Sequence, residues 1–192
     1  MRVFVAVVPP PEVVDHLDAF LEPRRAAGDF RWTRPEHLHV TLAFMADAAP
    51  HRVDEYVDRL AESLDGLPPD ALALSGAVVF PNVSEGRVLA TGVTGAEVLG
   101  TASVRARNAA VACGIEVDPS TGSGRRGQRF TPHVTVARTG GRFVEMTSWV
   151  RLLETYAGPS WPFGSVEVVA SHLGEGPRRS PRYETLAEIL LH

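Results

Sequence analysis

A chain of 192 residues with 44% hydrophobic and 22% charged side chains is long enough to bury a core without staples, and its composition is that of an ordinary globular protein. Its formal net charge of −4 argues mildly against a protein that coats nucleic acid with its whole surface, because such proteins are usually basic; an anionic substrate would have to meet locally concentrated positive charge. The single cysteine, Cys113, excludes an internal disulfide, and a reducing, cytoplasmic setting is expected.

The first stretch, Arg2–Val8, is rich in valine and reads as a buried strand. Its apolar run, Val3–Val8, is shorter than the apolar core of a signal peptide, about 7–15 residues, and no segment approaches the roughly 18 apolar residues of a membrane span, so no membrane partner is expected. Pro9-Pro10-Pro11-Glu12 ends this strand and opens a helix, proline being tolerated in a first turn. Val13, Val14, Leu17, Phe20 and Leu21 follow at helical spacing and fade near Ala27-Gly28. Strands are predicted over Phe30–Thr33 and Leu38–Met45, linked by Pro35-Glu36. A second helix covers about Pro50 to Leu64, with Val53, Tyr56, Val57, Leu60 and Leu64 on one face, and Gly66 through Pro69 break it. Ala71–Phe80 and Arg87–Gly92 read as strands joined by the turn Pro81–Gly86. A third helix runs from Ala96 to Cys113, and Gly114 is its natural cap.

Asp118 to Gln128 is glycine- and serine-rich with almost no apolar residue, and reads as a long loop. The strand His133–Arg138 follows, then a short helix near Phe143 to Tyr156, then two long strands, Trp161–Leu173 and Tyr183–Leu191. Helices alternate with strands, but extra strands lie between them. The predicted fold class is therefore α+β, with mostly antiparallel sheets.

One pattern occurs twice. Residues 39–43 read His-Val-Thr-Leu-Ala and residues 133–137 read His-Val-Thr-Val-Ala, each after a proline-containing segment and each ahead of a helix. A duplicated lobe with pseudo-two-fold symmetry explains this. On a strand, residues i and i+2 share a face, so His39 stands with Thr41 and His133 with Thr135, while the valines and leucines between them face the core. If the lobes pack face to face, two imidazole–hydroxyl pairs line one groove. Phosphodiester hydrolysis needs a base to deprotonate water and an acid for the departing oxygen, and histidine, with an ordinary pKa of about 6.5, serves as either. The hydroxyls suit the non-bridging oxygens. Zinc asks for three or four ligands. The sequence offers only the pair His37 and His39, whose counterpart has Thr131, so neither a metal nor another cofactor is expected.

These residues resemble the 2H phosphoesterases, and within them the RNA 2′,3′-cyclic phosphodiesterases, also called 2′-5′ RNA ligases. The two His-x-Thr motifs carry the likeness. It extends through Arg2–Val7, Arg31–Leu42, Val79-Phe80-Pro81, Arg87-Val88-Leu89, Phe130–Arg138, Tyr183 and Leu186. The resemblance implies one bilobal domain over residues 1–192, each lobe an antiparallel sheet with outer helices, around a central cleft. It implies that His39 donates a proton to the leaving 3′ oxygen and His133 accepts one from water, leaving a 2′-phosphate, with Thr41 and Thr135 holding the phosphate. The implied partner is an RNA 3′ end or a nucleoside 2′,3′-cyclic phosphate, met by a monomer. His37 departs from the family's more common asparagine, Ala90 from its aromatic residue, and the Gly/Ser/Arg loop is longer.

Arg138 and the loop residues Arg125, Arg126 and Arg129 are further candidates for phosphate, though loop arginines also serve as solvated surface charge. Phe130, Phe44 and Trp32 are candidates for stacking a terminal base, with core packing as the alternative for each. A module that binds a nucleotide or RNA end without turnover is the competing class. The same chemistry on another cyclic phosphate or on a 2′-5′ linkage is a third possibility.

Overall fold

Period-two segments form the strands of this protein, and the helical segments cover one face of them. The structure, a computed structural model, describes residues 1–119, 130–177 and 180–191. The loop expected over Asp118–Gln128 thus lies, beyond its first two residues, outside the described residues. In chain order the fold runs β1 (Val3–Val7), α1 (Pro11–Leu21), β2 (Arg31–Trp32), β3 (Val40–Met45), α2 (Val53–Leu64), β4 (Ala71–Phe80), β5 (Val88–Val93), α3 (Ala96–Ala112), β6 (His133–Arg138), α4 (Thr147–Leu153), β7 (Ala157–Pro162), β8 (Ser165–His172) and β9 (Arg182–Leu190). Short 3-10 turns at Glu22–Ala27, Pro35–His37 and Pro50–Arg52 connect them.

All strand pairs are antiparallel, and the strand order is β7-β4-β5-β6-β3-β1-β8-β9, with β2 beside β6. The expected α+β class and its two lobes are present as half-sheets, β7-β4-β5-β6 and β3-β1-β8-β9. The motif strands β3 and β6 are their inner edges, joined by the single pair Val40 and Val134. The order strand, helix, strand, helix occurs twice, as β1-α1-β3-α2 and β5-α3-β6-α4, which is the structural counterpart of the repeated motif.

One continuous core lies under the helices. Val3, Val5, Val7, Val40, Leu42, Leu89, Val134 and Val136 point into it from the sheet, with Leu17, Leu60, Leu64 and Leu99 from the helices. Each such side chain contributes about 1.5–3 kcal/mol on burial. Small residues of α3 (Ala102, Ala106, Ala110) are fully buried and let α2 approach, where the Tyr56 hydroxyl donates to the Ala106 carbonyl at 3.2 Å. Gly114, with φ +66°, ends α3, and Arg52 caps it by donating to the carbonyls of Cys113 and Gly114, both at 2.8 Å. A side chain on Gly114 would collide with that guanidinium. The opposite face of the β3-β1-β8-β9 half-sheet carries only a small cluster, Phe4, Ala6 and Val169, with Phe44 and Tyr183 against it.

Three expectations from the sequence need correcting. The run Trp161–Leu173 is two strands, because Pro162 and Gly164 interrupt the ladder. The backbone N–H of Phe163 donates instead to the Asp70 carbonyl at 2.9 Å. There the chain leaves one half-sheet, where β7 pairs with β4, and enters the other, where β8 pairs with β1 and β9. The helix expected near Phe143–Tyr156 is only Thr147–Leu153, because Val144 exchanges both backbone hydrogen bonds with Gly86 (2.8 and 3.0 Å). The strand expected over Phe30–Thr33 shortens to Arg31–Trp32.

Candidate active site

The pleat aims the polar residues of both motifs at the face without helices. His39, Thr41, His133 and Thr135 are half-buried there, while Val40, Leu42, Val134 and Val136 are at most 1% exposed on the core side. Val40 opposes Val134. His39 and Thr41 at the start of β3 and His133 and Thr135 on β6 flank that one pair on the open face and make a four-residue patch.

A β-bulge in each motif strand decides what else reaches the patch. The unpaired residue falls three places after each histidine, at Leu42 in β3 and Val136 in β6. It and the next alanine, Ala43 or Ala137, both face the core. Alternation therefore resumes one residue late, which sets Phe44 and Arg138 at equivalent positions on the open face. The bulge carbonyls have partners: the buried Ser103 hydroxyl donates to Leu42 O at 2.6 Å, and the Thr33 N–H donates to Val136 O at 2.9 Å.

The two histidines share one hydrogen-bond arrangement. His39 Nδ1 lies 2.7 Å from the His37 carbonyl, and His133 Nδ1 lies 2.7 Å from the Thr131 carbonyl. A carbonyl only accepts, so each Nδ1 carries the proton. Each Nε2 is left to accept a proton when the ring is neutral or donate one when it is charged.

Their surroundings differ. The His39 ring stacks on Phe4 (centroids 4.8 Å, 27° between planes) and meets the edge of Tyr183 at 5.7 Å. Among the described residues His133 has one aromatic neighbour, Phe80, at 4.8 Å. Burial pushes His39 down to about 4. Its carbonyl partner opposes this, and the charges of His37, Arg138 and His133 reinforce it. Burial also lowers His133, against its bond to Thr131 and with help from Arg138. His37 is lowered by burial too, with Glu36 opposing and Arg34 adding to the effect. Arg138 brings a positive charge to both motif rings in a chain of formal charge −4, which favours an anion locally.

Arg138 is exposed beside the patch and acts electrostatically on both motif histidines. Phe44 also reaches the open face, beneath the Arg2 guanidinium at 4.8 Å. Trp32 does not: it packs with Phe30 and Trp149 against the main core. Phe130 likewise packs against the main core, near Gly100 of α3, so core packing rather than base stacking describes its place. Arg125, Arg126 and Arg129 lie outside the described residues. The His37 ring meets Tyr183 at 4.5 Å, and among the described residues no three His, Cys, Asp or Glu side chains converge as a metal would need.

Sequence reasoning missed Phe4, Tyr183, Phe80 and Arg2 as parts of this site. Phe4 was detectable, because it alternates with Val3 and Val5 in β1. Tyr183 was not, because its position depends on β9 pairing with β8, which in turn pairs with β1. Two concavities of about 480 and 510 Å³ lie elsewhere, along α2 and β9. Their linings are apolar and acidic (Val57, Asp58, Glu62, Leu186, Glu188), with no motif residue.

The family described as "LigT like Phosphoesterase" matches residues 7–90, which include the first motif. A Geobacillus stearothermophilus protein named RNA 2′,3′-cyclic phosphodiesterase is 26% identical over 189 residues, 98% of this chain. The match takes in 56% of that protein, so the chain spans little more than half its length. An Archaeoglobus fulgidus protein of the same name is 28% identical over 168 residues, 88% of this chain and 86% of that one. The fold is that of Escherichia coli LigT, with a TM-score of 0.74 at 20% identity, covering 99% of this chain and 96% of that one. A Thermus thermophilus protein gives a TM-score of 0.71 at 24% identity, covering 99% and 97%.

Proposed function

We propose that this chain, which is similar to the LigT-like phosphoesterases over residues 7–90, is an RNA 2′,3′-cyclic phosphodiesterase that works by two-histidine acid–base catalysis without a metal. The observation that carries this reading is the mirrored pair of Nδ1–carbonyl bonds, which leaves two Nε2 atoms for proton transfer on one face, each with a threonine two residues on along its strand. Water attacks phosphorus as His133 Nε2 takes its proton. The P–O3′ bond breaks, and His39 Nε2 gives its proton to the departing oxygen. The product is a 2′-phosphate with a free 3′ hydroxyl, and exchange of one proton with solvent resets the pair. Thr41 and Thr135 donate to the non-bridging oxygens as charge builds on them.

His39 is the more depressed ring in the free protein, at about 4, so its role as acid requires an offset. The phosphodiester's negative charge supplies it, because an anion beside an imidazole favours the protonated form. Substrate and catalytic proton therefore load together. Escherichia coli LigT has been crystallised with 3′-AMP and with phosphate, ligands of the chemistry this reading requires. All four groups come from one chain, so a monomer suffices. The lone, buried Cys113 suits a cytoplasmic enzyme.

The test is incubation with 2′,3′-cyclic AMP in chelator, followed by phosphorus NMR. A 2′-monophosphate is expected, and His39→Ala and His133→Ala should each lose about 10²–10⁴-fold in kcat while keeping the fold. Full activity in either variant, or activity abolished by chelator, would overturn the mechanism.

A further inference from the structure

The sheet has two outer edges, and they are unlike. β7 ends one side and carries Pro159 and Pro162, which have no N–H to offer an added strand. β9 ends the other side with nine residues and no proline, and among the described residues no strand pairs its outer edge. Such an edge presents unpaired backbone N–H and C=O groups. The two concavities of about 480 and 510 Å³ lie along it and share Val57 and Asp58, so they form one groove between α2 and β9. Leu186 and Leu190 line it from β9 and are 37% and 61% exposed.

The side chains that line the groove carry charge of one sign. Asp54, Asp58 and Glu62 stand on α2, Asp65 just past its end and Glu188 on β9. All five are exposed, and among the described residues none has an ion pair or a side-chain hydrogen bond. The Met1 ammonium at one end is bonded to the Ala48 carbonyl at 2.7 Å and faces Asp47. Asp54, Asp58 and Glu62 recur every four residues, a like-charge row that weakens a helix. Their neighbour Glu55, by contrast, has Arg59 at 3.3 Å. α2 and β9 run the same way along the groove, Asp54 with Leu186 in its first part and Asp65 with Leu191 in its second. Carboxylates about 6 Å apart along a helix match alternate residues of a strand, about 6.6–6.8 Å apart.

We propose that this groove receives a basic, extended polypeptide segment, which adds to the free edge of β9 and sets an arginine or lysine at every second residue against the carboxylates of α2. Apolar residues between them cover Leu186 and Leu190. A second copy of this chain would bring the same carboxylates, and a nucleic acid its phosphates, so charge selects against both.

The test is fluorescence anisotropy with a labelled peptide of alternating arginine and valine, about as long as β9. Saturable binding is expected. Asp58→Asn with Glu62→Gln should weaken it about tenfold, while Glu55→Gln leaves it within about twofold. Proline in place of the central valines should also weaken it about tenfold, because the added ladder cannot close. In amide exchange the unaltered peptide should slow β9 and not β7. Absence of saturable binding, binding unmoved in the Asp58/Glu62 variant, equal weakening by Glu55→Gln, or indifference to proline overturns the proposal. A dimer in sedimentation that Leu190→Arg dissociates gives the groove to a second copy, and overturns it as well.

Discussion

His39 and His133 hang from matched backbones in unequal surroundings. Both follow a carbonyl that fixes Nδ1, and both precede a bulge by three residues. Yet His39 lies between Phe4 and Tyr183, while among the described residues His133 has Phe80 alone. The repeated motif sets the orientation of each ring, and the aromatic residues of the surrounding strands make the two environments unequal. A duplicated scaffold can thus hold two copies of one residue with separate acid–base characters.

The largest expected effect concerns stability in acid. The folded pKa of His39 is depressed to about 4, below the unfolded value of about 6.5. The unfolded chain therefore binds the extra proton first, and stability falls as pH drops from about 6.5 toward 4. Between pH 7 and 4.5 the wild type should lose about 2–3 kcal/mol more than His39→Gln, since each tenfold difference in proton affinity is worth about 1.4 kcal/mol. Denaturant melts at the two pH values check this, and equal losses would erase the contrast between the rings. Next is the device behind the first bulge. Ser103→Ala leaves the Leu42 carbonyl without its buried donor, which costs about 1–3 kcal/mol in the same melts. The second lobe holds its bulge by a backbone N–H from Thr33, which no side-chain truncation at Thr33 removes. The smallest effect is on the rate profile. Since kcat/KM follows the free enzyme and both rings are depressed, its bell should centre between about 4 and 6.5. A maximum above that range would mean that the buried ring is not the one titrating.

Much of this was legible in the chain. β4 and β6 run over the residues that alternation predicted, and the His-x-Thr repeat located both motif strands, because period-two pleating is a local property. The division of Trp161–Leu173 was marked by Pro162 and Gly164, but which half-sheet each piece would join depends on pairing with β4 and β1 from far up the chain. The bulges were invisible for the same reason: Leu42 and Val136 look like ordinary alternation until their partners Val5–Ala6 and Leu89–Ala90 are known. Arg138 could be suspected from its place after the motif.

The half-sheets touch through a single residue pair, Val40 with Val134, so the backbone ladder does little to fix how far apart the two rings stand. Behind β3 stands the helix layer, in which Tyr56 of α2 is bonded to Ala106 of α3 and α3 packs against β3. The alanines of α3 therefore set how closely that layer seats behind the strand that follows His39. Widening the seam by a methyl group should shift β3 without altering any motif residue.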